Sequence, residues 1–137
     1  MGMRLEFSFP GRIDEIGPAA NRILEALDAA DDIPFLIALR EALTNAVVHG
    51  CQGNPQAKIV CTAEANHRDM VVTIKDPGPG FDHAQVADPT TEEGILKFNG
   101  RGLLLIRQGT DEMIFTDGGS TIQLRKHRPD ESPGRVV

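Results

Sequence analysis

Tryptophan and tyrosine are missing from this chain, and six phenylalanines are its only aromatic residues. Without aromatic platforms, a surface that stacks the bases of single-stranded nucleic acid is not expected. Cysteine is nearly as scarce, with Cys51 and Cys61 the whole complement. Two such residues make no disulfide framework, and their spacing is not that of a C-x-x-C zinc site. They read as ordinary thiols of a reducing compartment. No apolar run approaches the roughly 20 residues that cross a bilayer, and the first residues lack the charged-then-apolar pattern of a signal segment. The expectation is a cytoplasmic protein without a membrane anchor. Positive charge is also short: 14 Lys and Arg stand against 20 Asp and Glu, a net charge of −6. Such a chain repels a phosphate backbone, so nucleic acid is a poor partner.

What remains suits one compact domain. The chain has 137 residues, 40% of them apolar, which is enough for a core at this length. Leu5, Phe7 and Phe9 alternate with Arg4, Glu6 and Ser8, the period of a half-buried strand, and Pro10-Gly11 ends it. Ile13, Ile16, Ala20, Ile23, Leu24 and Leu27 then recur at helical spacing. Asp31-Asp32 and Pro34 open a second helix that is predicted to run to about His49, with Gly50 at the place of a left-handed C-cap. Residues 58–64 and 69–75 read as a hairpin. Residues 82–99 are polar, a long stretch of the kind that forms a lid. An apolar run after Gly102 predicts a third helix, and residues 113–116 and 121–125 a last hairpin around Asp117-Gly118-Gly119-Ser120. The tail from 127 to 137 is polar, with two prolines, and is expected to fray.

The second helix has two faces. At about 100° per residue, Leu36, Leu39, Leu43 and Val47 share one side. Glu41, Asn45 and His49 fall on roughly the opposite side, flanked by the small Ala38 and Ala42. A polar stripe is by itself the usual mark of a solvated face. Its functional alternative is a carboxylate and an amide presented together, the amide oxygen suiting Mg²⁺ and the carboxylate able to accept a proton from a hydroxyl. His49 is assigned to the helix C-terminus.

Two glycine-containing loops follow. Asp76-Pro77-Gly78-Pro79-Gly80 ends a strand. Proline and glycine favour turns in any case, but a carboxylate there can accept the amino hydrogen of adenine, and Gly78 and Gly80 allow close approach of base and ribose. Gly100-Arg101-Gly102 precedes a helix whose first N–H groups can bind phosphate, with Arg101 adding positive charge. Neither a GxxxxGK[ST] loop nor a GxGxxG fingerprint occurs, so a nucleotide would be held by another architecture.

In combination these pieces resemble a known family. The run Glu41-Ala42-Leu43-Thr44-Asn45-Ala46-Val47-Val48-His49-Gly50 resembles the N box of the GHKL ATPases, the superfamily of gyrase, heat-shock chaperone, histidine kinase and mismatch-repair ATPases. Asp76 through Phe81 resembles their first glycine box, and Gly100-Arg101-Gly102-Leu103 their second. Thr121, after Gly118-Gly119-Ser120, matches the threonine that ends the adenine pocket. The subgroup most similar in length and wording is that of the free-standing serine kinases that act as anti-sigma factors.

The resemblance implies an α+β fold of the Bergerat type: a two-layer α/β sandwich with a mixed, mainly antiparallel sheet and helices on one face. It implies a histidine kinase-like ATPase domain over residues 1–126, with an ATP lid at about 82–99. It implies ATP and Mg²⁺ as cofactors. Glu41 is then the catalytic base and Asn45 the Mg²⁺ ligand. Asp76 and Thr121 hold adenine, with Gly78 and Gly80 shaping its pocket, and Gly100, Arg101 and Gly102 meet the phosphates. The implied partners are a small anti-sigma-factor antagonist protein, phosphorylated on serine or threonine, and a sigma factor; a homodimer is possible. The alternative is a partner-switching module that binds ATP and sequesters its partner without kinase activity. Two positions depart from the subgroup: Gly109 at the end of the third helix, and Thr110 where an apolar residue is usual.

Overall fold

The computed structural model describes residues 2–52, 54, 56–78 and 102–128. Among the described residues, five strands form one sheet: β1 (Met3–Pro10), β2 (Lys58–Ala65), β3 (Asp69–Lys75), β4 (Glu112–Thr116) and β5 (Thr121–His127), in the order β1-β2-β3-β5-β4. Every pairing among these residues is antiparallel. Among the same residues three α-helices pack on one face: α1 (Ile16–Ala26), α2 (Ile33–Asn45) and α3 (Gly102–Gln108). The architecture is the expected α+β two-layer sandwich, with the mainly antiparallel character carried by all four strand pairs.

Alternation along the strands sorts residues between the layers. Ile59, Cys61, Ala63, Val72, Ile74 and Leu124 are buried under the helices, while Arg4, Glu6 and Val60 point to the open face. Helix α1 contributes Ile16, Ala19, Ala20, Ile23 and Leu24 to the core, and α2 contributes Phe35, Ala38, Leu39, Ala42 and Leu43. Helix α2 begins where the sequence signals say it should. The Asp32 carboxylate accepts from the Phe35 N–H at 3.1 Å, and Pro34 occupies the first turn, where a missing N–H costs nothing.

The other end of α2 differs from expectation. The regular helix stops at Asn45 and continues as one π-helical turn, Ala46–Gly50, closed by the Cys51 N–H donating to the Ala46 carbonyl at 3.0 Å. Gly50 is not a left-handed cap: the glycines with positive φ among the described residues are Gly118 and Gly119. Its requirement is steric, as described below. Strand β5 also runs past the expected end at Arg125, to His127, and the Arg128 N–H donates to the Arg68 carbonyl at 2.8 Å.

Both departures from the subgroup have local causes. Gly109 follows α3 at its contact with α2, where a Cβ would overlap the Pro34 carbonyl oxygen and stand 2.8 Å from the Ala38 Cβ. The Thr110 hydroxyl donates to the Ile106 carbonyl at 2.9 Å, joining the Gly109 N–H on that acceptor at the end of α3.

Candidate nucleotide site

A cleft of about 560 Å³, part of it open to solvent, lies between the end of α2, the start of α3 and the sheet. Its apolar floor is a row across three strands. Ile74 pairs with Ile122, and Ile122 with Phe115, so strand register puts all three side by side. Leu103 from α3 and Ala42 and Ala46 from the α2 segment add small or apolar surface. The remaining lining comes from Asn45, His49, Gly50, Asp76, Gly119 and Ser120. An apolar slot with a few convergent polar groups suits a flat heteroaromatic base.

Asp76 is fixed from two sides. Its backbone N–H donates to the Ser120 carbonyl at 2.9 Å, tying the end of β3 to the start of β5. Its Oδ1 accepts from the Gly78 N–H at 2.8 Å, an Asx turn built by the Asp-Pro-Gly sequence. Burial raises the Asp76 carboxyl above the ordinary carboxylate range, and the Gly78 N–H pulls it partly back. Cys51, buried behind the π turn, is raised by burial and by the nearby Asp76 charge.

Gly50 and Gly78 meet at the same carboxylate. A Cβ at Gly50 would overlap the Asp76 carboxyl carbon and lie 2.5 Å from its Cβ and Oδ1. A Cβ at Gly78 would stand 2.6 Å from the Gly50 oxygen and 2.9 Å from its Cα. The two glycines and one carboxylate therefore share a space that admits no further carbon.

The expected site residues are placed as follows. Asn45 and Asp76 line one cleft, and Gly78 supports Asp76 from beside it. Glu41 stands one turn before Asn45 on α2, half-buried and outside the cleft lining. Gly102 opens α3, whose Leu103 reaches the cleft. Gly80, Gly100, Arg101 and the lid at 82–99 lie outside the described residues.

Thr121 is placed differently from the expectation. It pairs with Lys75 and Thr116, and its hydroxyl donates to Asp117 Oδ2 at 2.9 Å. It is not among the lining residues; its neighbour Ser120 is, buried with its hydroxyl 3.0 Å from the Asp117 carbonyl. Strand period does not separate the two in the sequence: Ser120 lies just before β5 with helical φ and ψ, and Ser120, Thr121 and Ile122 are all buried.

Among the described residues no three His, Cys, Asp or Glu side chains cluster to hold a metal by themselves. Asn45 lines the cleft, and an amide oxygen is a donor of the kind that suits a hard cation.

The family of the histidine kinase-like ATPase domain matches residues 10–126, and the chain belongs to it. Within it the relatives are GHKL proteins of the anti-sigma kind. The chain is 26% identical over 117 residues to the anti-sigma F factor of Halalkalibacterium halodurans, covering 82% of this chain and 79% of that one. It is 29% identical over 106 residues to the anti-sigma F factor of Bacillus subtilis, covering 74% and 71%. With the anti-sigma F factor of Bacillus cytotoxicus it shares 30% identity over 92 residues, 64% and 63% of the two chains.

Proposed function

We propose that this chain is an ATP-binding anti-sigma regulator that phosphorylates a serine or threonine of a small antagonist protein and binds a sigma factor. The observation that carries this is the convergence of Asn45, from α2, and Asp76, from the end of β3, on one cleft floored by Ile74, Ile122 and Phe115. Adenine lies on that floor, with its amino group donating to Asp76 and Ser120 beside it. Gly78 holds the Asp76 carboxylate in place, and Gly80 shapes the rest of the base and ribose pocket. The Asn45 oxygen helps hold Mg²⁺, which neutralises phosphate charge when bound. Gly100, Arg101 and Gly102 are assigned to the phosphates by their match to the second glycine box.

In the transfer step the partner's hydroxyl oxygen attacks the γ-phosphorus, and the bond from that phosphorus to the β–γ bridging oxygen breaks. ADP departs, and Glu41 receives the hydroxyl proton. Phosphoryl transfer asks little more of a protein than such positioning and charge neutralisation. The relatives' names and the family assignment support the regulator; the Glu41 role rests on its place one turn before Asn45.

One observation favours the second reading, a partner-sequestering module without transfer: Glu41 does not line the cleft. Incubation with γ-labelled ATP, Mg²⁺ and an antagonist-type partner separates the two. Label on the partner that Glu41→Ala abolishes, with ATP binding retained, supports the kinase. Tight partner capture without label, or undiminished transfer by Glu41→Ala, removes that role.

A further inference from the structure

The Gly50 position has no role in the reading above, yet the structure leaves it no freedom. Its backbone is not in the left-handed region, so any L residue could adopt its conformation. Glycine is needed only because the Asp76 carboxyl group lies where a side chain would begin. The π turn Ala46–Gly50 brings that point of the backbone to the mouth of the cleft. Single π-helical turns are rare, and they occur often at functional sites.

From this packing we infer that Gly50 is a positioning residue that sets the purine specificity of the cleft, acting through Asp76. The inference rests on the nucleotide reading of the site. Three contacts fix the carboxylate: the bare Cα of Gly50 on one side, the Gly78 N–H on Oδ1, and the Ser120 carbonyl on the backbone N–H. With Oδ1 engaged, Oδ2 is the acceptor on offer to a ligand. A carboxylate in that seat accepts from the amino group of a 6-amino purine and repels the carbonyl oxygen of a 6-oxo purine. A methyl group at position 50 forces the carboxyl carbon and Cβ of Asp76 to move, and the seat is lost with every other lining side chain unchanged.

The test compares ATP with inosine triphosphate, which has the same ribose and phosphates but a 6-oxo base. Binding of each to the full chain with Mg²⁺ is measured by calorimetry, for wild type and Gly50→Ala. Wild type is expected to prefer ATP by at least tenfold, about 1.4 kcal/mol. In Gly50→Ala the ratio collapses toward one, because ATP binding weakens tenfold or more while inosine triphosphate binding changes less than threefold. An unchanged ratio, or an equal loss for both nucleotides, overturns the assignment of specificity to Gly50. A wild type that binds neither nucleotide overturns the nucleotide reading as well, which distinguishes the two failures.

Should Gly50→Ala unfold, the double variant Gly50→Ala/Asp76→Gly keeps the inference open to refutation, since removal of the Asp76 side chain makes room for the methyl group. Recovery of the fold in the double variant, with stability equal to Asp76→Gly alone, supports the contact. A double variant as unstable as Gly50→Ala overturns it.

Discussion

The Thr121 hydroxyl donates to Asp117 Oδ2 at 2.9 Å, and that bond turns the threonine into its own hairpin and leaves Ser120 to face the cleft. Asp117 has φ of 53°, a conformation that L residues other than Asn and Asp seldom adopt. The Thr121 bond helps hold it there. The two hydroxyls should therefore separate by assay. Ser120→Ala is expected to weaken ATP binding about three- to tenfold, the size of one hydrogen bond in a partly desolvated site. Thr121→Val should leave the dissociation constant within about twofold and cost about 1 kcal/mol of stability, read from urea unfolding. The opposite pattern would return the adenine contact to Thr121.

Asn45 and Glu41 share a helix stripe but are given different tasks. Asn45→Ala is expected to weaken ATP binding in Mg²⁺ by at least tenfold and to leave the much weaker metal-free binding almost unchanged. Equal loss in the presence and absence of Mg²⁺ would mean that Asn45 shapes the cleft and does not ligate the metal. Glu41→Gln, by contrast, should bind ATP·Mg²⁺ as wild type does. Titration of a fluorescent ATP analogue with and without chelator reads both variants.

Much of this arrangement was legible in the sequence. Alternation placed β1, the Asp32 and Pro34 signals placed the start of α2, and the polar stripe set Asn45 apart from the Leu39 and Leu43 side of that helix. The positions misread share one cause: they depend on contacts between segments remote in the chain. Gly50 looked like a helix cap because the sequence around it is a helix end; that it yields its space to Asp76 requires the fold. Gly109 stood only as a departure at the end of the third helix; that it lies against Pro34 and Ala38 of α2 requires the fold. Thr121 is the exception: expected at the adenine, it is tied to Asp117 beside the cleft-lining Ser120, a placement set by the 3-10 turn between β4 and β5. The lid and the second glycine box fall largely outside the described residues, so those expectations stand on the family resemblance.

Asp76 predicts a pH dependence. Burial, opposed by the Gly78 N–H, raises its pKa above the ordinary value of about 3.9. Adenine binds the ionised carboxylate best, so ATP affinity should hold level near neutrality. It should fall on acidification, with a midpoint above the ordinary aspartate value. The stability of the free protein runs the other way. A group whose folded pKa is raised gives its full contribution below the unfolded pKa and loses it as pH rises through the folded pKa. Asp76→Asn should thus flatten the pH profile of whatever ATP binding remains and raise the melting temperature of the free protein at neutral pH. Calorimetry between pH 7.5 and 5 and a thermal melt check the two halves separately.

Gly109 tests the packing of α2 on α3. Gly109→Ala puts a methyl group onto the Pro34 carbonyl, a backbone atom that cannot swing aside as a long side chain can. The expected cost is about 1–3 kcal/mol, the usual range for overpacking, seen as a lower urea midpoint with unchanged slope. Because Leu103 of α3 lines the cleft, ATP affinity should also drop, though less than in Ser120→Ala. A neutral Gly109→Ala would show that the two helices separate easily, and with them the wall of the site.

The two thiols report on the same architecture without any ligand. Cys61 lies in the middle of the sheet, fully buried, and burial pushes its thiol up to about 12. Cys51 is buried against Gly11 at the back of the cleft, and burial and the Asp76 charge both keep it protonated. The thiolate is the reacting species, so neither should react with a thiol reagent in the native protein at neutral pH. In increasing urea the order should be Cys51 first. It is screened by a π turn and a loop, and such regions open locally at lower free energy than paired strands. Cys61, between β1 and β3 in the sheet, should follow only with global unfolding. ATP·Mg²⁺ should delay both, Cys51 by opposing local opening beside Asn45 and Asp76 and Cys61 by raising the free energy of global unfolding. Mass spectrometry of the labelled cysteines reads the order, and a rapid first equivalent on native Cys61 would contradict the sheet register itself.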